Sequence, residues 1–215
     1  MMKIWLLLSL ILVISCKESK PHDYDKRHAL VVDINSEDNI LTYSYSKDNN
    51  YAIKIEDLKT NKVIFSIKIK EGCFTESKTH HGKLYFPDSD NIFTCIDYKS
   101  NKVIWKLPLD DWKIREFQFV KDDIIIASID SYGLIAINSR TGKVIYQLLL
   151  RYDDDCIVDF APRPIGFDEN YFYVTDFNCN SISAYEISSG KNIWAKKEDS
   201  FMISNLAVSG EYVFM

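Results

Sequence analysis

Glycine is scarce in this chain, 7 of 215 residues, less than half the share of about 7% usual in soluble domains. A chain so poor in glycine has few residues that enter a left-handed turn without strain. Basic charge is not in excess either: 26 Lys+Arg stand against 31 Asp+Glu, for a net −5 at pH 7. A nucleic-acid binder would normally present a basic face, so none is expected. No GxSxG, HExxH, P-loop or GxGxxG motif occurs, and catalysis is poorly served. CxxC and Cys/His metal spacings are absent as well, which leaves zinc unsupported. What remains is 47% hydrophobic and 27% charged, the balance of a folded domain with ample length for a core.

Met1 to Ile14 reads as a signal peptide, with Lys3 as its positive start and an eleven-residue apolar stretch from Ile4 to Ile14 broken only by Ser9. A helix of that length spans about 16 Å, roughly half a hydrocarbon core, and cannot cross a bilayer. Val13-Ile14-Ser15-Cys16 resembles the lipobox of bacterial lipoproteins. That resemblance implies cleavage between Ser15 and Cys16 and acylation of the Cys16 thiol, the alternative being an ordinary secretory signal that happens to hold a cysteine. Residues 16–28 are polar and without periodicity, as a tether should be. The expected address is the bacterial cell envelope, with the membrane contacted through the lipid; Lys17 favours the outer over the inner membrane. After export, Cys73, Cys95, Cys156 and Cys179 allow three pairings.

A short unit recurs four times: Asp57-Leu-Lys-Thr-Asn-Lys-Val-Ile-Phe65, Asp97-Tyr-Lys-Ser-Asn-Lys-Val-Ile-Trp105, Asn138-Ser-Arg-Thr-Gly-Lys-Val-Ile-Tyr146 and Glu186-Ile-Ser-Ser-Gly-Lys-Asn-Ile-Trp194. Its lysine falls at 62, 102, 143 and 191, with spacings of 40, 41 and 48. Periods near 40 containing strands mark β-propeller blades. Each unit predicts a hairpin: an alternating strand such as Ile92 to Ile96, a tight turn placing Asn61, Asn101, Gly142 or Gly190 at positive φ, and a second strand bearing an aromatic. Two further strand-like runs precede each hairpin, Arg115 to Val120 and Asp123 to Ser128 in the third unit, about Ile157 to Ala161 and Tyr171 to Asp176 in the fourth. The fold class is therefore all-β, a propeller of four-stranded blades over residues 29–215, with about four and a half blades present and an incomplete ring.

These units resemble the repeats of PQQ-like, quinoprotein-type β-propellers and lack the Gly-His and Trp-Asp signatures of WD repeats. With the lipobox, the outline is similar to the propeller lipoprotein of the outer-membrane protein assembly machinery. The resemblance implies a propeller fold. It does not bring the cofactor: enzymatic quinoproteins are expected to have a vicinal cysteine pair and Ca²⁺ ligands, and no adjacent cysteines occur here. Met202 to Met215 reads as two strands of a fifth blade, so a fragment of a longer propeller lipoprotein is expected, against a strained four- or five-bladed closure.

The spacing of 48 adds residues to the segment Arg151 to Asn170, which carries Asp153, Asp154, Asp155 and Arg163. An enlarged polar loop on one face of a propeller is the candidate partner-binding loop, although Asp and Asn also serve turns by themselves. Three adjacent carboxylates do not supply the alternating ligands of a Ca²⁺ loop. A Cys156–Cys179 bridge is conceivable. Cys95 aligns with Ile55, Ala136 and Ala184 and reads as a small packed residue. His80 and His81, adjacent, would point to opposite faces of a strand and share no metal; a surface turn before Gly82 is the expected setting. No catalytic, cofactor or metal residue is assigned. The expected function is a non-enzymatic, lipid-anchored envelope propeller that binds another envelope protein or acts as a scaffold. The alternatives are an inactive or partial relative of a quinoprotein dehydrogenase and a carbohydrate- or polymer-binding surface lipoprotein.

Overall fold

Each repeat folds as a four-stranded antiparallel meander. The computed structural model describes residues 30–36, 38–47, 50–69, 76–88, 90–110, 112–121, 123–129, 133–149, 163–176, 181–197, 207–209 and 212–214. Blade 1 comprises β1 (Leu30–Asn35), β2 (Ile40–Lys47), β3 (Asn50–Asp57) and β4 (Lys62–Ile69). Blade 2 comprises β5 (Lys78–His80), β6 (Lys83–Pro87), β7 (Ile92–Asp97) and β8 (Lys102–Pro108). Blade 3 holds β9 (Ile114–Lys121), β10 (Ile124–Ile129), β11 (Gly133–Asn138) and β12 (Val144–Leu149), and blade 4 holds β13 (Arg163–Phe167), β14 (Tyr171–Asp176), β15 (Ser181–Glu186) and β16 (Asn192–Lys197). A fifth, two-stranded sheet pairs β17 (Ala207–Ser209) with β18 (Tyr212–Phe214). The expected four and a half blades are thus present, and the described residues contain no helix.

The blades stack face to face, and their cores lie between them. Ile53, Ile55 and Phe65 of blade 1 pack with Leu84, Phe86, Ile96 and Tyr98 of blade 2. Phe93, Cys95 and Trp105 of blade 2 meet Phe117, Ile125 and Ile135 of blade 3, and Ile126, Leu134 and Ala136 of blade 3 meet Phe172, Val174 and Tyr185 of blade 4. A sheet covered on both sides has no solvent face. The middle strands accordingly lose the alternation expected of them: β7 is buried over Phe93 to Ile96 and β10 over Ile125 to Ile129. Full burial of one such Phe or Ile stabilises by roughly 1.5–3 kcal/mol.

The turns between third and fourth strands follow the repeat. Asp57 Oδ1 accepts from the backbone N–H of Lys59 and Thr60, Asp97 Oδ1 from Lys99 and Ser100, and Asn138 Oδ1 from Arg140 and Thr141. The fifth residue of each turn, Asn61, Asn101, Gly142 or Gly190, has positive φ as predicted. The hydrogen bonds from Thr60 and from Ser100 hold the Asp57 and Asp97 carboxyls below the usual 3.8. A depressed carboxyl stabilises the fold above its unfolded pKa, and that contribution is lost as pH falls through the lower folded value. The neutral Asn138 makes the same bonds without titrating. Thermal melts of an Asp57→Asn/Asp97→Asn variant should therefore lose less stability than the parent chain below about pH 4. Parallel acid limbs for the two proteins would refute this.

A bulge follows every turn. The β3–β4, β7–β8, β11–β12 and β15–β16 registers all shift just beyond the pairs Ile55–Phe65, Cys95–Trp105, Ala136–Tyr146 and Ala184–Trp194. The extra residue on the outer strand is Ile64, Ile104, Ile145 or Ile193, each 40–49% exposed. The outer strands are sheet edges, and bulges and lysines such as Lys62, Lys102 and Lys191 at these positions discourage pairing with other chains.

One expectation needs correction. The first strand of blade 4 is Arg163–Phe167 and not Ile157 to Ala161, a run that lies outside the described residues; Pro164 is tolerated because an inner strand is itself an edge. His80 and His81 stand at the turn expected before Gly82: β5 ends at His80, His81 leaves it with φ 47°, and the two ring centroids are 4.0 Å apart.

Candidate functional site

Two kinds of clasp join the blades, an inner one at the joints of blades 1–2 and 2–3 and an outer one at the joints of blades 2–3 and 3–4. The inner clasp is a carboxylate reaching the next blade's first strand. Asp33 Oδ2 accepts from Thr79 N (3.0 Å) and Thr79 Oγ1 (3.3 Å), and Asn35 Nδ2 donates to Thr79 O (3.2 Å). Between blades 2 and 3, Glu76 Oε2 accepts from Phe117 N (3.2 Å) while pairing with Lys78 Nζ at 3.6 Å. Asp33 and Glu76 hold no common place in the repeat, so sequence comparison of the units misses them.

The outer clasp uses the aromatic of the repeat. Trp105 Nε1 donates to Ser139 O in the next blade's turn at 2.8 Å, and Tyr85 OH reaches the same carbonyl at 3.4 Å. One blade later Tyr146 OH donates to Ile187 O at 2.9 Å. The rings lie flat against a glycine: a Cβ at Gly142 would sit 2.6 Å from Trp105 Cδ2, and one at Gly190 2.6 Å from Tyr146 Cε2. Phe65, which has nothing to donate, instead packs on the Tyr98 ring at 6.3 Å, and the turn it faces carries Asn101. Glycine thus occupies the turn where a donor-bearing ring lies across it, and asparagine where the ring is Phe.

Cys95 is fully buried and unbridged, the small packed residue that alignment with Ile55, Ala136 and Ala184 predicts. Burial pushes its thiol up to about 11, and burial likewise raises the Tyr85 phenol beside it. Native protein at about pH 8 should leave Cys95 unalkylated until denaturant is added, since the thiolate is the reactive form; peptide mapping that finds it labelled in the folded state would contradict the packing.

The array has two unlike ends. The face of blade 1 turned away from blade 2 carries Tyr43 and Glu56, hydrogen-bonded at 3.3 Å, and Lys54, whose Nζ lies 3.7 Å from the Tyr45 ring centroid. The corresponding face of blade 4 presents Trp194, 39% exposed against 8% for Trp105 and for Phe65, with Tyr173 of its own blade 6.1 Å away.

Of the sequence-predicted site residues, Cys16, Asp153, Asp154 and Asp155 lie outside the described residues, as do Cys73, Cys156 and Cys179. Arg163 opens β13, where its backbone pairs with Thr175, so it belongs to a strand rather than a loop. Among the described residues no group of three or more His, Cys, Asp or Glu could hold a metal ion, and no helix is long and apolar enough to cross a membrane.

No family model and no curated protein matches the chain. Solved structures do. BamB from Moraxella catarrhalis is similar over 84% of this chain and 55% of its own, at 10% identity and a TM-score of 0.59. The fold is that of a β-propeller. A europium-containing methanol dehydrogenase is similar over 74% of this chain and 40% of its own (12% identity, TM-score 0.56), and a chain of the mitotic checkpoint complex over 87% and 56% (10%, 0.64). The propeller described here spans about half the length of BamB and of the checkpoint chain.

Proposed function

We propose that this protein is a non-enzymatic, lipid-anchored propeller of the bacterial envelope that binds another envelope protein. The carrying observation is the order of parts: Val13-Ile14-Ser15-Cys16, a polar tether to residue 28, then stacked blades. The blade fold and its likeness to BamB support a scaffold role, and the likeness to a methanol dehydrogenase keeps a catalytic relative as the competing class. The segment between β12 and β13, with Asp153, Asp154 and Asp155, is the proposed partner contact; its acidity suits a basic patch on the partner. The Cys16 lipid anchors the protein, in the outer membrane.

Metabolic labelling with a palmitate analogue should mark the wild-type protein and not Cys16→Ser, and the variant should leave the membrane fraction. Photo-crosslinking from position 154 should trap one envelope protein, and the Asp153→Lys/Asp154→Lys/Asp155→Lys variant should lose it. Membrane retention of Cys16→Ser would sink the anchor; cofactor-dependent alcohol oxidation after reconstitution with pyrroloquinoline quinone would sink the non-enzymatic reading.

A further inference from the structure

We propose that the joint between blades 1 and 2 is a binding site for internal water, held by the hydroxyls of Thr42, Ser44 and Ser77 beside the Asp33–Thr79 clasp. The register brings these groups together. Thr42 stands opposite Ile55 and Ser44 opposite Ile53; both isoleucines pack towards blade 2, so the two hydroxyl side chains face blade 2 as well. Across the joint Thr79 stands opposite Leu84, and Ser77, continuing that register, falls opposite Phe86. Leu84 and Phe86 pack towards blade 1. Asp33, opposite Thr42, spans the joint to Thr79 N and Oγ1. Thr42, Ser44 and Ser77 are at most 2% exposed, and none of their hydroxyls has a hydrogen-bond partner among the described residues.

The same four places are filled differently at the other joints. Matching the second strands on the pairs Ile40–Asp57, Lys83–Asp97 and Ile124–Asn138 sets Thr42 and Ser44 against Tyr85 and Pro87 in blade 2, and against Ile126 and Ser128 in blade 3. The β9–β10 ladder sets Ser77 and Thr79 against Phe117 and Phe119, two rings of the apolar core between blades 2 and 3. Blade 4 has Pro164 and Phe167 at those positions. Among these residues of the later joints Ser128 alone carries an aliphatic hydroxyl, and it donates to Glu116 O within its own sheet. The hydroxyl cluster therefore belongs to the first joint and not to the repeat.

A buried hydroxyl without a partner bears the full cost of its desolvation. Water removes that cost where several polar groups converge and the space admits it. Stacked sheets keep about 10 Å between them, and at this joint Thr42, Ser77 and Thr79 stand where the next joint has the rings of Tyr85, Phe117 and Phe119. Thr79 Oγ1, while donating to Asp33, still has a lone pair with which to accept. Water bound here donates to and accepts from hydroxyls of both blades, so it bridges the joint as ring packing does between blades 2 and 3.

The test is made on the full chain in mild detergent. Deuterium and oxygen-17 relaxation dispersion of the solvent registers water held far longer than surface hydration. Its amplitude should fall from wild type to Thr42→Val/Ser44→Ala/Ser77→Ala; if the triple variant does not fold, Ser77→Ala by itself should show the loss. Thr42→Val keeps the shape of the side chain and deletes its hydroxyl. It should lower the melting temperature by about 2–4 °C, the effect of one net hydrogen bond in a domain of this size. An amplitude that stays at the wild-type value in a folded variant overturns the proposal. So does a Thr42→Val melting temperature that is unchanged or raised, as removal of an unpaired buried hydroxyl would give. A wild-type melting temperature that climbs in sodium chloride over choline chloride, and does so only while the three hydroxyls are present, assigns the site to a cation and overturns it too.

Discussion

Trp105→Ala is expected to lower the melting temperature by about 6–20 °C, following a loss of about 3–5 kcal/mol typical of a buried Trp removed from a core. The ring fills the joint between blades 2 and 3. It stands edge-on to Phe93 at 5.6 Å and tilted to Tyr85 at 5.9 Å, and its Nε1 donates to Ser139 O. Truncation opens a cavity among side chains that are themselves held by two neighbouring sheets and collapse poorly. Trp105→Tyr should recover much of the loss, because Tyr146 performs the same contact one joint on. Trp194→Ala should cost under about 1 kcal/mol, as a partly exposed site away from a packed joint. Differential scanning calorimetry on the three variants separates them; equal losses at 105 and 194 would mean that the joints do not carry the stability.

Gly142→Ala is the second large effect, about 2–5 kcal/mol. Part is the conformational cost of about 1–2 kcal/mol for a Cβ in the left-handed region, since Gly142 has φ 70°. The remainder is about 1–3 kcal/mol of overpacking, since the new atom would meet Trp105 Cδ2 at 2.6 Å. Gly82 has nearly the same backbone angle, φ 72°, but its nearest neighbour would be Lys99 Cε at 3.9 Å. Gly82→Ala should show the first cost alone. Gly142→Asn, whose side chain tolerates positive φ, should keep the second. Chemical denaturation of the three proteins checks the division, and similar losses for Gly82→Ala and Gly142→Ala would contradict it.

These two positions show why the repeat was legible but its purpose was not. The aromatic and the Gly/Asn turn recur at a fixed spacing along the chain, and local turn chemistry makes both visible. That the aromatic of one unit lies on the glycine of the next is a contact between residues about forty apart, and only stacking creates it. The shared isoleucine misleads in the other direction. Ile64, Ile104, Ile145 and Ile193 look like core, yet a bulge turns each to solvent.

The scarcity of glycine has a structural answer. Of the nine described residues with positive φ, four are asparagine, at 39, 61, 91 and 101, and two more are His81 and Asp110. Asparagine tolerates that region, so turns form without glycine. Where a donor-bearing ring from the preceding blade lies across the turn, no Cβ fits and glycine is kept.

Sequence alone determined the number of blades, the hairpin within each, the left-handed turn residue and the small buried Cys95, because each depends on neighbours within a few residues or on simple periodicity. Tertiary structure decided the rest. The inner clasps of Asp33 and Glu76 depend on strands more than forty positions away. Burial of both faces of the middle strands depends on a sheet on either side, and so does the difference between the polar face of blade 1 and the Trp194 face of blade 4. Such features belong to no unit by itself; they arise when one blade meets another.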